Sequence, residues 1–117
     1  MAADSAVHLR WQRDAHRVLG KFLAAATRND LPAMSWTIAI SGALVGDVDS
    51  LTLTPVEQRA AFDRWAKQLA AEVAPERIDS DGVTHLYAKF KVPDTFSAGG
   101  AIRASIYPPL FDEDGVV

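Results

Sequence analysis

Apolar residues in the first quarter of the chain return every three or four positions: Val7, Trp11, Ala15, Val18, Leu19, Phe22 and Ala26. That period lines one side of an α-helix, and Asp4 and Ser5 stand ahead of it as N-cap residues. The spacing predicts a helix over 6–27. Asn29, Asp30 and Pro32 stop it, because the residue before a proline is pushed out of the helical region. From Met34 the period shortens to two. Met34, Trp36, Ile38 and Ile40 alternate with Ser35, Thr37 and Ala39, as in a strand with one buried side. A weaker strand follows over 43–48, in which Gly46 marks a bulge or a close backbone approach. Ser41 and Gly42 either turn the chain between these two strands or bend a single one.

Thr54-Pro55-Val56-Glu57 starts a second helix. The threonine is an N-cap, the proline suits the first helical position, and the glutamate at the third completes a capping box. Phe62, Trp65, Ala66, Leu69 and Val73 form its apolar stripe, and Pro75 is expected to end it. Since Trp11, Trp36 and Trp65 each fall on an apolar stripe, one aromatic core between helices and sheet is expected.

Strands are predicted over 76–79 and 83–92, joined by Ser80-Asp81-Gly82. A three-residue loop with Gly82 left-handed pairs Ile78 with Thr84, on the side of Leu86, Ala88, Phe90 and Val92. After a glycine-bearing loop over 93–100, a last strand over 101–107 directs Ile102, Ala104 and Ile106 to the core. Phe96 in that loop is expected to fold back on the core. Pro108 and Pro109 end the strand, and the acidic tail from about 110 is expected to be flexible. The order is α-β-(β)-α-β-β-β in a single domain of 117 residues. It defines an α+β two-layer sandwich: a mainly antiparallel four- to five-stranded sheet with two helices on one face.

Composition narrows the function classes. Apolar residues make up 49% and charged ones 23%, the balance of a folded domain and not of a disordered chain. A net charge of −3 opposes whole-molecule attraction to phosphate backbones, so nucleic-acid binding needs a local basic patch. The lack of cysteine removes disulfides, thiolate catalysis and cysteine-ligated metal, and fits a reducing compartment. Charges interrupt the N-terminal stretch too often for a secretory signal, and nothing approaches the roughly 20 apolar residues of a membrane span. A cytoplasmic protein without membrane contact and without a cofactor is expected.

The candidate chemistry lies opposite the oily side of the final hairpin. There the alternation gathers His85, Tyr87, Lys89, Lys91, Arg103 and Tyr107, with Ser35, Thr37 and Ser105 sharing the helix-free face. Cross-strand neighbours lie about 4.5 to 5.5 Å apart, so Lys89, Lys91 and Arg103 are expected to crowd one another. An anion, an acidic partner or nucleic acid would relieve that crowding; a solvated face that only prevents edge pairing is the plainer explanation. His8 and His16 lack the i, i+4 spacing of a helical zinc site. Asp79-Ser80-Asp81-Gly82 lacks the closing glutamate of a calcium loop and suits a hairpin turn. Gly99-Gly100 leads into a strand, whereas a phosphate cradle leads into a helix.

The expected function is a small non-enzymatic binding or assembly protein using the open sheet face, with a protein partner or a second copy as ligand. A polyanion or nucleic-acid binder through Lys89, Lys91 and Arg103 is the second reading. A small enzyme with His85 beside a pocket of the 93–100 loop is the third, because no serine or carboxylate is tied to His85 by a recognised spacing.

Overall fold

The computed structural model describes residues 2–91 and 99–109. Its elements are α1 (Ala2–Arg28), β1 (Met34–Ile38), β2 (Leu44–Val48), α2 (Pro55–Gln68), β3 (Glu72–Val73), β4 (Arg77–Ile78), β5 (Thr84–Phe90) and β6 (Gly100–Ile106). The six strands form one sheet in the order β1-β2-β6-β5-β3, with β4 also paired to β5. Both helices pack on the same side, giving the α+β two-layer arrangement. The sheet is antiparallel except for β2 against β6. Those two strands are separated in sequence by α2 and three further strands, so no tight turn forces them antiparallel.

Helix α1 begins at Ala2, and Asp4 therefore sits in its first turn, where a carboxylate favours the positive end of the helix dipole. At 1.5 Å per residue it is about 40 Å long, roughly twice the reach of strands of five to seven residues. Its first turns overhang the sheet. Trp11 accordingly stays outside the aromatic core expected for it, half-buried and 5.2 Å from the His8 ring. The core cluster instead joins Phe22, Trp36, Trp65 and Phe90, whose rings meet at 5.5 to 6.4 Å, mostly edge to face. Such pairs add about 0.5–1.5 kcal/mol each beyond area burial. Trp65 is 1% exposed and satisfies its indole N–H by donating to the Pro32 carbonyl at 2.7 Å.

Residues 39–43 turn the chain between β1 and β2, with Gly42 at φ 83 and Gly42 N–H donating to the Ala39 carbonyl at 2.9 Å. The hairpin is a turn and not a bent strand. Gly46 is a close approach: a Cβ there would stand 2.8 Å from Met34 Cε and 3.1 Å from the Trp36 ring.

The capping box of Thr54 and Glu57 forms as the sequence requires. Helix α2 ends earlier than Pro75, at Gln68. Ala70 turns left-handed at φ 51, its N–H bonds the Lys67 carbonyl, and Ala71 N–H bonds the Ala66 carbonyl, which together make a Schellman cap. Val73, placed on the helix stripe by its spacing, belongs to β3. Helix α1 ends the same way around Asp30 at φ 55, with Asp30 N–H to the Thr27 carbonyl and Leu31 N–H to the Ala26 carbonyl. Asn29 and Gln68 hydrogen-bond at 3.0 Å and tie the two helix ends together.

The β4–β5 hairpin has the predicted register, Ile78 opposite Thr84, with Gly82 at φ 81. Ile78 points to the helix side yet is 68% exposed, because α2 covers the middle of the sheet and leaves this edge bare. Val92, Phe96 and the acidic tail lie outside the described residues.

Candidate functional site

The side of the sheet without helices carries three cross-strand rows, fixed by register. The central row runs Ser35, Asp47, Arg103, Tyr87 from β1 to β5. On one side of it stand Thr37, Val45, Ala101, Lys89 and Glu72; on the other, Ser105, His85 and Arg77. His85, Tyr87, Lys89 and Arg103 thus share one face. Lys91 and Tyr107 continue the same alternation one residue beyond β5 and β6.

The anticipated crowding of Lys89, Lys91 and Arg103 is not what the register gives. Arg103 stands opposite Tyr87, Lys89 opposite Ala101 and next to Glu72 on its other side. The Arg103 guanidinium is already engaged: Nε donates to Asp47 Oδ1 at 3.0 Å and Nη2 to Oδ2 at 3.1 Å. That fork holds the guanidinium in one orientation, and the hydrogen bond raises the Arg103 pKa further. A cation that sequence spacing left unpartnered is therefore balanced and pre-positioned. Its partner Asp47 comes from the weak strand 43–48, and nothing in one sequence announces that β2 runs parallel beside β6.

His85 also acquires partners that spacing did not reveal. Its Nε2 lies 2.8 Å from Asp79 Oδ2 and its Nδ1 lies 3.4 Å from Ser105 Oγ. A carboxylate only accepts, so Nε2–H donates to Asp79, and Nδ1 of the neutral ring accepts a hydrogen bond donated by the Ser105 hydroxyl. Hydroxyl, imidazole and carboxylate stand in the order of a hydrolytic relay. Asp79, however, is committed to the turn: its Oδ1 accepts Asp81 N–H at 2.9 Å and Val83 N–H at 3.1 Å. The hydrogen bond from His85 is the largest cause, ahead of those N–H groups, of an Asp79 pKa held below the ordinary carboxylate value. The side chains of His85 and Asp79 are 30% and 37% exposed on an open face, without the dry enclosure that acyl transfer uses. The arrangement works as a clamp across the hairpin and onto β6.

Together Asp47, Arg77, His85, Tyr87, Arg103 and Ser105 line a hollow open to solvent. Tyr87 is 44% and Tyr107 57% exposed. Among the described residues no group of three or more His, Asp and Glu side chains is placed to hold a metal ion, and no helix is long and apolar enough to cross a membrane. Comparison of the chain with protein families, with curated proteins and with solved structures gives no match.

Proposed function

We propose that this is a binding and assembly protein whose open sheet face docks a second copy of the chain. The observation that carries the reading is the central row, in which a guanidinium fixed by a bidentate carboxylate stands beside an exposed tyrosine. Arginine and tyrosine are the residue types that most often dominate interface energies. A side chain already held in place loses little freedom on docking.

Charge distribution favours a second copy as the occupant. The β1–β2 half of the face offers Ser35, Thr37, Val45 and Asp47, whereas the other half offers Arg77, His85, Tyr87, Lys89 and Glu72. A two-fold axis along the strands lays the Arg77 and Lys89 half of one copy over the β1–β2 half of the other, which carries no cation and whose Asp47 is shared with its own Arg103, so an isologous dimer keeps like charges apart without a strong net attraction. Five strand positions about 4.8 Å apart and strands about 20 Å long give a footprint of roughly 400 Å² per copy. That is small beside the roughly 800 Å² per partner of a stable interface. The dimer is therefore weak and reversible. The polyanion reading through Lys89, Lys91 and Arg103 loses support from the same geometry, since Asp47 already neutralises Arg103.

Light scattering on a concentration series tests the reading. A mass that rises above 12.7 kDa with concentration, and falls back in Tyr87→Ala and Arg103→Ala, supports it. A mass of 12.7 kDa at every concentration removes it, and so does a dimer indifferent to both substitutions.

A further inference from the structure

The outer surface of α1 carries a patch independent of the sheet face. Arg10, Arg13, Arg17, Lys21 and Arg28 follow one another at steps of three, four, four and seven residues, which stay on one side of a helix with 3.6 residues per turn. All five are exposed. The opposite side of the helix is occupied, with Ala15, Val18 and Phe22 packed in the core, so the stripe faces away from the sheet. At 1.5 Å per residue it runs about 27 Å; neighbouring cations stand about 5–6 Å apart from Arg10 to Lys21, and about 10 Å separates Lys21 from Arg28. Among the described residues only Arg17 of the five has an ion-pair partner, Asp14 at 3.6 Å. Arg28 lies in the last turn, where it also suits the helix dipole.

The helix sets five cations against Asp4 and Asp14 within a chain of net charge −3, so positive charge is concentrated here and the remainder is more acidic than the whole. At physiological salt, charges separated by more than about 8 Å are largely screened. A ligand seated on the stripe therefore interacts with the local cations and little with the acidic remainder.

We propose that the outer face of α1 docks a nucleic-acid duplex by its phosphate backbone, without reading bases. Four of the five cations are arginines, whose planar fork matches phosphate oxygens two at a time. Four cations one helical turn apart, Arg10 to Lys21, with Arg28 two turns further on, fit a line of like anions, which a duplex backbone supplies. An acidic protein surface would ordinarily be met by a cluster of aromatic and apolar anchors as well; no aromatic stands within the stripe, and its large exposed apolar neighbours are Leu9, beside Arg10 and Arg13, and Leu23. A lipid surface is matched less well, because the helix's apolar side is spent on the core and cannot insert. In a dimer joined at the sheet faces the two stripes lie on opposite outer surfaces.

Fluorescence anisotropy of a labelled 20-base-pair DNA duplex of random sequence provides the test, from about 20 to 200 mM salt. The expected result is binding whose logarithm falls with the logarithm of salt at a slope of about −3 to −4, one contact contributing about 0.9. Arg13→Glu with Lys21→Glu weakens it at least about tenfold, and Arg13→Gln with Lys21→Gln lowers the slope by about 2, while Lys89→Glu leaves it unchanged. Circular dichroism of each variant confirms that α1 persists. No binding at 20 mM salt overturns the proposal, as does binding that survives both double substitutions. Loss of binding on Lys89→Glu moves the polyanion site to the sheet and also overturns it. Tighter association with vesicles containing phosphatidylserine than with the duplex assigns the stripe to a lipid surface instead.

Discussion

Asp47 on β2 and Arg103 on β6 are joined by two hydrogen bonds, 3.0 and 3.1 Å long, across the only parallel pairing among the described strands. Both side chains are about half exposed, where ion pairs contribute about 0–1 kcal/mol to folding. The pair therefore matters more for where it holds the guanidinium than for how firmly it holds the fold. Asp47→Ala is expected to lower folding stability by less than about 1 kcal/mol but to weaken self-association clearly. Urea unfolding beside sedimentation equilibrium separates the two. Equal, large losses in both would show that the pair is chiefly structural.

Much of the architecture was legible because local chemistry fixes it. Thr54, Pro55 and Glu57 write a helix start into four consecutive residues, and Ser80-Asp81-Gly82 sets the β4–β5 register through a single left-handed glycine. What stayed hidden was non-local. Helix α2 stops at Gln68 because Ala70, a residue with no turn signature, adopts a left-handed conformation. Asp47 reaches Arg103, and Ser105 reaches His85, only through pairings that join distant segments. The candidate face was therefore visible as an alternation of His85, Tyr87 and Lys89, while the partners that set its charge balance were not. The α1 stripe, by contrast, is plain at the level of spacing, since a single helix determines it.

Gly46 lies beneath two large side chains, so its lack of a side chain is a packing requirement. A Cβ at this position would meet Met34 Cε at 2.8 Å and the Trp36 ring at 3.1 and 3.2 Å. The methionine end can swing aside. The indole cannot, being held among Phe22, Trp65 and Phe90. Gly46→Ala is expected to cost about 1–3 kcal/mol, the usual range for overpacking a filled core, and to change the near-ultraviolet circular dichroism of the tryptophans. A urea midpoint like the parent's would mean that the ring moves freely.

The two helix caps differ in the residue asked to turn left-handed: Ala70 at φ 51 and Asp30 at φ 55. Alanine has no means of offsetting the clash of its Cβ in that region, whereas aspartate tolerates it by bonding locally. Ala70→Gly should therefore stabilise the protein by about 0.5–1 kcal/mol, the net of relieved strain and added freedom in the unfolded chain. Asp30→Gly should gain less. Thermal melts compare them directly, with a rise of roughly 2–5 °C expected for Ala70→Gly. Equal gains at the two sites would contradict the distinction.

Asp79 links the stability of the β4–β5 hairpin to pH. Its carboxylate accepts from His85 and from the N–H groups of Val83 and Asp81, and these bonds hold its pKa below the ordinary value of 3.8. A group whose pKa is depressed on folding binds its proton more readily when unfolded. Its contribution is therefore fully present above 3.8 and is lost as pH falls through the lower, folded value. Asp79→Asn keeps an oxygen for the turn N–H groups but cannot ionise. The variant should unfold at lower urea than the parent at neutral pH, and the gap should close as the pH is taken from about 5 to about 2. A gap of constant size across that range would mean that the Asp79 charge contributes nothing, leaving the His85 clamp a matter of geometry alone.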